Sequence, residues 1–152
     1  MKIGLVWFKN DLRLHDNEAL CSAIADCDTI LCYYCVEPYW FKQLDLGFRK
    51  ADINRFKFIE QSVRDLQGNL DDLGAQLHIS SKGAVKTIPQ LVEKYGINAI
   101  YAEEEYASEE LKLIAEIKDL LPNIEFKFFW GKTLYHVADI PFEIDNIPKT
   151  SK

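Results

Sequence analysis

The residues best suited to hold a ligand are a run of carboxylates, residues 103–105, followed by Ser108, Glu109 and Glu110. Two interpretations of this run stay open. Carboxylates in the first turn of a helix complement the helix macrodipole, so Glu109 and Glu110 could serve stability alone. Alternatively, one of them faces a crevice and accepts two parallel hydrogen bonds from a heterocycle with adjacent N–H donors, as pterins and flavins have.

A second candidate group is aromatic, because Tyr39, Trp40 and Phe41 directly follow Glu37 and Pro38. Aromatic rings at such a place can stack on a planar chromophore. They can also pack against a second domain, and exposed aromatic clusters usually mark an interface of some kind. The residue types favour domain packing, with ring stacking as the alternative.

Charged residues also gather in the segment DLRLHDN, which contains Asp11, Arg13 and Asp16. Charge-assisted hydrogen bonds among them are expected at this spacing. One interpretation is a salt-bridged loop in which Asp16 caps the following helix. The other is a docking surface for a second domain or a ligand, and the sequence does not separate the two.

Phosphate-binding loops have no counterpart in this sequence. Residues 9–17, where a nucleotide-binding fold carries its glycines, contain none, and the seven glycines of the chain never cluster. Neither a GxGxxG fingerprint nor a P-loop is therefore present. The sequence therefore argues against an enzyme that binds a dinucleotide or a nucleoside triphosphate.

Cysteine and histidine give no sign of metal or redox chemistry. Cys32 and Cys35 fall within one predicted strand, where an odd separation points them to opposite faces, so we predict buried structural thiols. His15, His78 and His136 are isolated from one another and from any nucleophile. We predict no metal site and no catalytic residue in this chain.

Four short apolar runs predict strands that are buried on both faces, and these are residues 2–8, 29–36, 99–103 and 124–129. Residues 76–80 are a fifth candidate strand, placed by their position between two helical patterns more than by their composition. Four helical periods alternate with them, and these are residues 17–25, 53–70, 84–95 and 108–121. This alternation demands right-handed crossovers, so we predict an α/β fold with a doubly wound, Rossmann-like, five-stranded parallel sheet and helices on both faces.

The helix ends and the ligand edge follow from the same pattern. Asp16 and Ser108 are candidate N-caps, whereas Gly96 and Pro122 are candidate stops. In doubly wound sheets, ligands bind beyond the carboxyl ends of the strands. The acidic run, the aromatic cluster and the DLRLHDN segment all fall at that edge.

Composition limits the class of protein. A chain of 152 residues with 48% hydrophobic content can bury one core. Its net charge of -6 repels phosphate, so it should not bind nucleic acid generally by itself. No apolar run is long enough to span a membrane, and no leader precedes the first strand, so we expect a cytoplasmic protein.

The regular pattern breaks down after Trp130. Tyr135 and Phe142 belong to a stretch too apolar for a free tail, since leaving such a side chain in water forgoes about 1.5 to 3 kcal/mol. We therefore predict an α/β domain over 1–131 and the start of an interdomain linker over 132–152, with the apolar residues lying on another surface.

Three segments resemble one family. VWFKNDLRLHDNEAL is similar to the start of cryptochromes and DNA photolyases, and RFKFIEQSVRDLQGNLDDLGAQL resembles a second characteristic segment of that group. Further on, WGKTLYHVADIPF resembles the DASH-type cryptochromes. The likeness extends over nearly the whole chain and implies the family's amino-terminal α/β domain.

The resemblance also implies what the intact protein does. A larger helical domain, absent from these residues, would hold FAD and a tryptophan chain for photoreduction. Its reaction would be light-driven electron transfer from reduced flavin to a pyrimidine dimer flipped into that domain, which alone would contact DNA. This chain would supply the antenna side, with methenyltetrahydrofolate in the crevice between the domains, and would be inactive alone.

The resemblance assigns individual residues as well. Glu109 matches the family position whose carboxylate holds the pterin ring, and Ser108 and Glu110 are its neighbours. Tyr39 and Trp40 match the region that lines a flavin-type antenna pocket in other branches. Because the opposite wall of the folate site is absent, we expect weak folate binding. The residues expected to dock the helical domain, or to mediate self-association in its absence, are Asp11, Arg13, Tyr135 and Phe142.

Two rival interpretations remain. A free-standing α/β nucleotide-binding or electron-transfer module would need the glycine-rich phosphate loop that this sequence lacks. A protein-interaction domain would use the acidic and aromatic crevice to bind a partner. Absorbance changes on addition of folate or flavin distinguish a chromophore binder from the latter.

Overall fold

All five predicted strands and all four predicted helices form. The computed structural model describes residues 1–45, 47 and 49–141, so Phe142 lies outside the described residues. The strands are β1 (Ile3–Phe8), β2 (Thr29–Cys35), β3 (Leu77–Ser80), β4 (Ala99–Glu103) and β5 (Glu125–Phe129). The helices are α1 (Glu18–Asp26), α2 (Ile53–Asp72), α3 (Ala84–Tyr95) and α4 (Ser108–Leu120), with 3-10 turns at Pro38–Phe41 and Val137–Asp139.

The strands form one parallel sheet in the order β3-β2-β1-β4-β5. Val6 of β1 is paired with Cys32 on one side and with Tyr101 on the other. The chain winds outward from β1 in one direction and then, from β4, in the other. This reversal confirms the doubly wound prediction and opens a crevice beyond the carboxyl ends of β1 and β4.

Each face of the sheet carries its own core, because successive strand residues point to opposite sides. Val6 and Cys32 pack beneath α1 and α2, while Trp7 and Cys35 pack beneath α3 and α4. The two cysteines therefore lie on opposite faces, as predicted, and both are free thiols. Burial raises the pKa of Cys32 to about 11 and that of Cys35 to about 12, so both stay protonated and unreactive.

The helix caps were only partly predicted. The cap of α1 is Asn17, whose Oδ1 accepts a hydrogen bond from Leu20 N at 3.0 Å, and not Asp16, which adopts a left-handed φ of 50°. Asn17 is the cap because its side-chain amide also donates hydrogen bonds to Asp11 and Arg13 in the preceding loop. Ser108 is the first residue of α4 and not its cap. Gly96 ends α3 with a φ of 65°, as predicted.

None of the helices in the described ranges combines the length and the apolar content that a bilayer crossing requires.

Candidate functional site

A cleft lies at the crevice between the carboxyl ends of β1 and β4. Its walls come from both of these strand ends, the end of β2, the first 3-10 turn and α4. The side chains that matter below are Trp7, Lys9, Glu37, Tyr39, Trp40, Glu105 and Glu110. The free space is about 40 Å³, which admits a few water molecules.

The aromatic and acidic candidates meet in this cleft. The hydroxyl of Tyr39 donates a hydrogen bond to Glu110 Oε1 at 3.3 Å, so the 3-10 turn and α4 are joined across the opening. Trp40 packs edge-to-face against Tyr39 with the ring centroids 6.1 Å apart. Burial raises the pKa of Tyr39 to about 12, so the phenol remains a hydrogen-bond donor at neutral pH. Three of the five predicted chromophore-binding residues are thus neighbours.

Glu109 lies at the rim and not on the cleft wall. Its side chain is 54% exposed and forms an ion pair with Lys50. The Nζ of Lys50 also sits over the ring of Tyr39, 5.0 Å from the centroid. Ser108 is exposed next to Glu109 at the start of α4. A ligand that binds Glu109 must therefore compete with Lys50.

A buried ion-pair network, which sequence reasoning missed, supports the cleft from behind. Lys132 Nζ lies 2.8 Å from Glu103 Oε2 and 3.1 Å from Glu105 Oε2. Lys9 Nζ donates to the backbone oxygen of Glu103 at 2.6 Å and lies 3.5 Å from Glu105 Oε1. All four side chains are at most 13% exposed. The sequence signals were weak: Lys9 directly follows β1 and Glu103 ends β4, whereas Lys132 lies three residues after β5.

The two lysines of this network differ in their electrostatics. Burial lowers the pKa of Lys9, and Glu105 only partly compensates for that. Burial opposes protonation of Lys132 too, but its hydrogen bonds to Glu103 and Glu105 outweigh this and raise the pKa of Lys132. Lys132 is consequently the firmly charged partner of both carboxylates.

One carboxylate oxygen of this network is buried and accepts no hydrogen bond from a described residue. Glu105 lines the cleft, and its Oε1 is buried yet accepts no hydrogen bond from any described residue. Lys9 Nζ lies 3.5 Å from this oxygen, as its ion-pair partner. A buried acceptor left open is costly unless something donates to it. The wall of the cleft therefore contains a buried carboxylate oxygen with unused acceptor capacity.

Glu37 is a structural carboxylate as well as part of the wall. Its Oε1 accepts a hydrogen bond from Ala84 N at 3.0 Å, at the start of α3. The side chain is buried, and burial raises its pKa above the ordinary glutamate range. Gly83, with a φ of 87°, lets the chain turn into α3 against this carboxylate.

The predicted ion pairs within DLRLHDN do not form. Asp11 is buried, and its carboxylate accepts from Lys9 N at 2.9 Å and from Asn17 Nδ2 at 3.2 Å. The guanidinium of Arg13 donates to the backbone oxygens of His15 and Asp16 instead of to a carboxylate. The reason is that Asp11 turns inward to hold the loop, out of reach of Arg13.

The docking candidates differ in accessibility. Arg13 is exposed and Tyr135 is 68% exposed, whereas Asp11 is buried. The rings of Tyr106 and Trp130 are neighbours at the same edge, tilted by 38° with their centroids 6.4 Å apart. Among the described residues, no three His, Cys, Asp or Glu side chains gather as metal ligands.

Comparison with known proteins gives a consistent result. A model of the DNA photolyase family matches residues 4–151. Cryptochrome DASH of Synechocystis sp. is 38% identical over 146 residues, which cover 95% of this chain and 30% of that relative. A Synechocystis cryptochrome structure matches with a TM-score of 0.90 at 36% identity, over 97% of this chain and 31% of that chain.

A more distant structure supports the fold alone. It is an archaeal photolyase from Sulfolobus tokodaii with two FAD molecules, which matches with a TM-score of 0.73 at 23% identity over 91% of this chain and 31% of that chain. Against both solved structures, this chain spans about 31% of the longer protein.

Proposed function

Because this chain belongs to the DNA photolyase family, we propose that it is the light-harvesting half of a DASH-like flavoprotein, with its cleft as a chromophore site. The observation that carries the proposal is a cleft at the crevice of the sheet whose lining combines the rings of Tyr39 and Trp40 with the buried carboxylate of Glu105. When bound, the chromophore absorbs near-ultraviolet or blue light and passes the excitation to flavin.

The donor and acceptor set of the cleft suits a planar heterocycle. Tyr39 and Trp40 offer ring faces, and Glu105 Oε1 accepts a hydrogen bond from a ring N–H. Free space of about 40 Å³ is smaller than a flavin or pterin ring. Trp40 is only partly buried, so its rotation is the movement that would admit the ring.

Methenyltetrahydrofolate is the second candidate chromophore, and its site is the rim. Glu109 has the carboxylate that can accept two parallel hydrogen bonds from a pterin, with Ser108 and Glu110 beside it. Lys50 has to leave Glu109 first. The opposite wall would come from the rest of the longer protein, so we propose weak folate binding to this chain alone.

The folate site can be tested by replacing Glu109 with Gln. The loss of a charged acceptor should weaken methenyltetrahydrofolate binding by about tenfold, measured from the shift of its absorbance band. Glu116→Gln is the matched control, because Glu116 is exposed on the same helix two turns away. Equal binding by wild type and Glu109→Gln, or equal loss in both variants, would contradict a pterin site at Glu109.

The rest of the longer protein supplies the other parts of the proposed function. We assign FAD and the electron transfer to a helical domain outside these residues, and pyrimidine-dimer DNA to that domain only. Repair therefore requires more than this chain. Large exposed apolar side chains support a docking surface for that domain at the carboxyl edge, and these are Tyr106, Leu134 and Tyr135.

Self-association of the chain follows from that uncovered surface. Leu134, which is 91% exposed, should contribute to it, so Leu134→Glu is expected to lower the weight-average mass at high concentration in sedimentation equilibrium. Leu73→Glu is the control, because Leu73 is 74% exposed at the far end of α2. A wild-type chain that stays monomeric at every concentration, or a Leu73→Glu effect of the same size, would refute this surface.

A further inference from the structure

The cleft lining is rich in carboxylates and poor in free cations. Glu37, Glu105 and Glu110 face it, and Lys9 is the one basic residue among the described residues that line it. On the basis of the proposed function, we propose that the cleft selects an uncharged planar heterocycle and discriminates against phosphate-bearing forms of the same ring. The selection concerns which flavin-type chromophore this chain takes.

Lys9 is not available to a phosphate. Its Nζ already donates to Glu103 O at 2.6 Å and lies 3.5 Å from Glu105 Oε1. It also sits 5.0 Å from the centroid of the Trp7 ring, and its side chain is 9% exposed. A phosphate that approached the cleft would therefore meet carboxylates before it met this ammonium group.

Three of the four described helix N-termini, where a phosphate usually binds in this fold class, are capped by side chains of the protein. Asn17 accepts from a first-turn N–H of α1, and Asp52 accepts from the first N–H of α2. Glu37 accepts from the first N–H of α3. The first turn of α4 carries Glu109 and Glu110. Side-chain oxygens thus take the place of a phosphate at α1, α2 and α3, and the two carboxylates in the first turn of α4 repel an anion there.

The Oε1 atom of Glu105 adds an attraction of the opposite kind. The Glu105 side chain is only 6% exposed, and its Oε1 has no hydrogen-bond donor among the described residues. A ring N–H satisfies this oxygen, whereas a phosphate repels it. The same atom therefore favours the heterocycle and disfavours the anion.

At the rim, Lys50 is the cation nearest to the opening, but Glu109 neutralises it. Lys50 pairs with Glu109 and lies over the ring of Tyr39. Its side chain is 31% exposed, so it is within reach of solvent and of a ligand tail. Lys50 would attract a phosphate only after release from Glu109.

Riboflavin and FMN test the inference directly, because they share one ring and differ by a phosphate. Titration of each into the 152-residue chain at low ionic strength, followed by flavin fluorescence, should give at least about fivefold tighter binding of riboflavin. The difference in affinity between riboflavin and FMN should decrease as added salt screens the carboxylates. Equal or tighter binding of FMN in the wild-type chain would overturn the inference.

A second arm uses Lys50. Glu109→Gln frees this lysine, so FMN should gain about two- to fivefold relative to riboflavin, whereas Glu116→Gln should leave the ratio unchanged. An unchanged ratio in Glu109→Gln would also count against the inference. If neither flavin binds the wild-type chain, both the flavin site of the proposed function and this inference are wrong. If FMN binds as well as riboflavin does, only this inference is wrong.

Discussion

Replacing Glu105 with Gln is expected to weaken riboflavin binding by about 10- to 100-fold. The substitution exchanges the charged acceptor that faces the cleft for a neutral amide, and hydrogen bonds to charged groups contribute about 1.5 to 3 kcal/mol. The buried Oε1 of Glu105 accepts no hydrogen bond from any described residue, so a ligand N–H is the donor that we propose for it. Fluorescence titration of riboflavin against both chains measures the difference.

Glu103→Gln is the matched control for this experiment. Glu103 shares Lys132 with Glu105, at 2.8 Å and 3.1 Å respectively, and is equally buried. It does not line the cleft, so its loss should disturb the network but change riboflavin affinity by no more than about threefold. If the two variants lose affinity equally, the effect comes from the network and not from contact with the ligand.

Replacing Lys132 with Met is expected to lower the free energy of unfolding by about 3 kcal/mol. The substitution leaves Glu103 and Glu105, each at most 8% exposed, with only Lys9 as a cation nearby. Removing one partner of a buried ion pair is costly because the remaining charge is uncompensated. The value lies at the low end for such pairs, because Lys132 keeps 13% of its exposure. Urea denaturation measures it.

The pH dependence of this stability difference is a second test of the prediction. The folded-state pKa of Lys132 is raised, so its stabilisation is fully present below its unfolded pKa of about 10.4 and is lost as the pH rises through the folded pKa. The difference in the free energy of unfolding between wild type and Lys132→Met should therefore decrease as the pH rises through that range. Lys112→Met, on the exposed face of α4, should change stability by less than about 0.5 kcal/mol. A Lys132→Met chain as stable as Lys112→Met would refute the network's role.

Hydrophobic periodicity was enough to predict the sheet and its helices. β4 is buried at all five of its positions, and an unbroken apolar run of this kind is typical of a central parallel strand. The caps were harder, because Asp16 and Asn17 are both good capping residues and lie side by side. Which of them caps α1 depends on the loop that Asn17 also binds, and no local pattern contains that information.

The site was predictable only in part. Tyr39, Trp40 and Glu110 come together because parallel strands place their following turns at one edge. The pairing of Lys132 with Glu103 and Glu105 depends on the path of the chain after β5, and that of Lys50 with Glu109 on a contact between residues 59 positions apart. The spacing of residues along the sequence does not predict ion pairs between such distant positions.

The most direct test of a chromophore-binding cleft is the tryptophan emission of the wild-type chain during titration with riboflavin. Trp7 and Trp40, two of the three tryptophans, line the cleft. We expect saturable quenching with one flavin per chain. Quenching that grows linearly with flavin concentration, with no saturation, would mean that no such site exists.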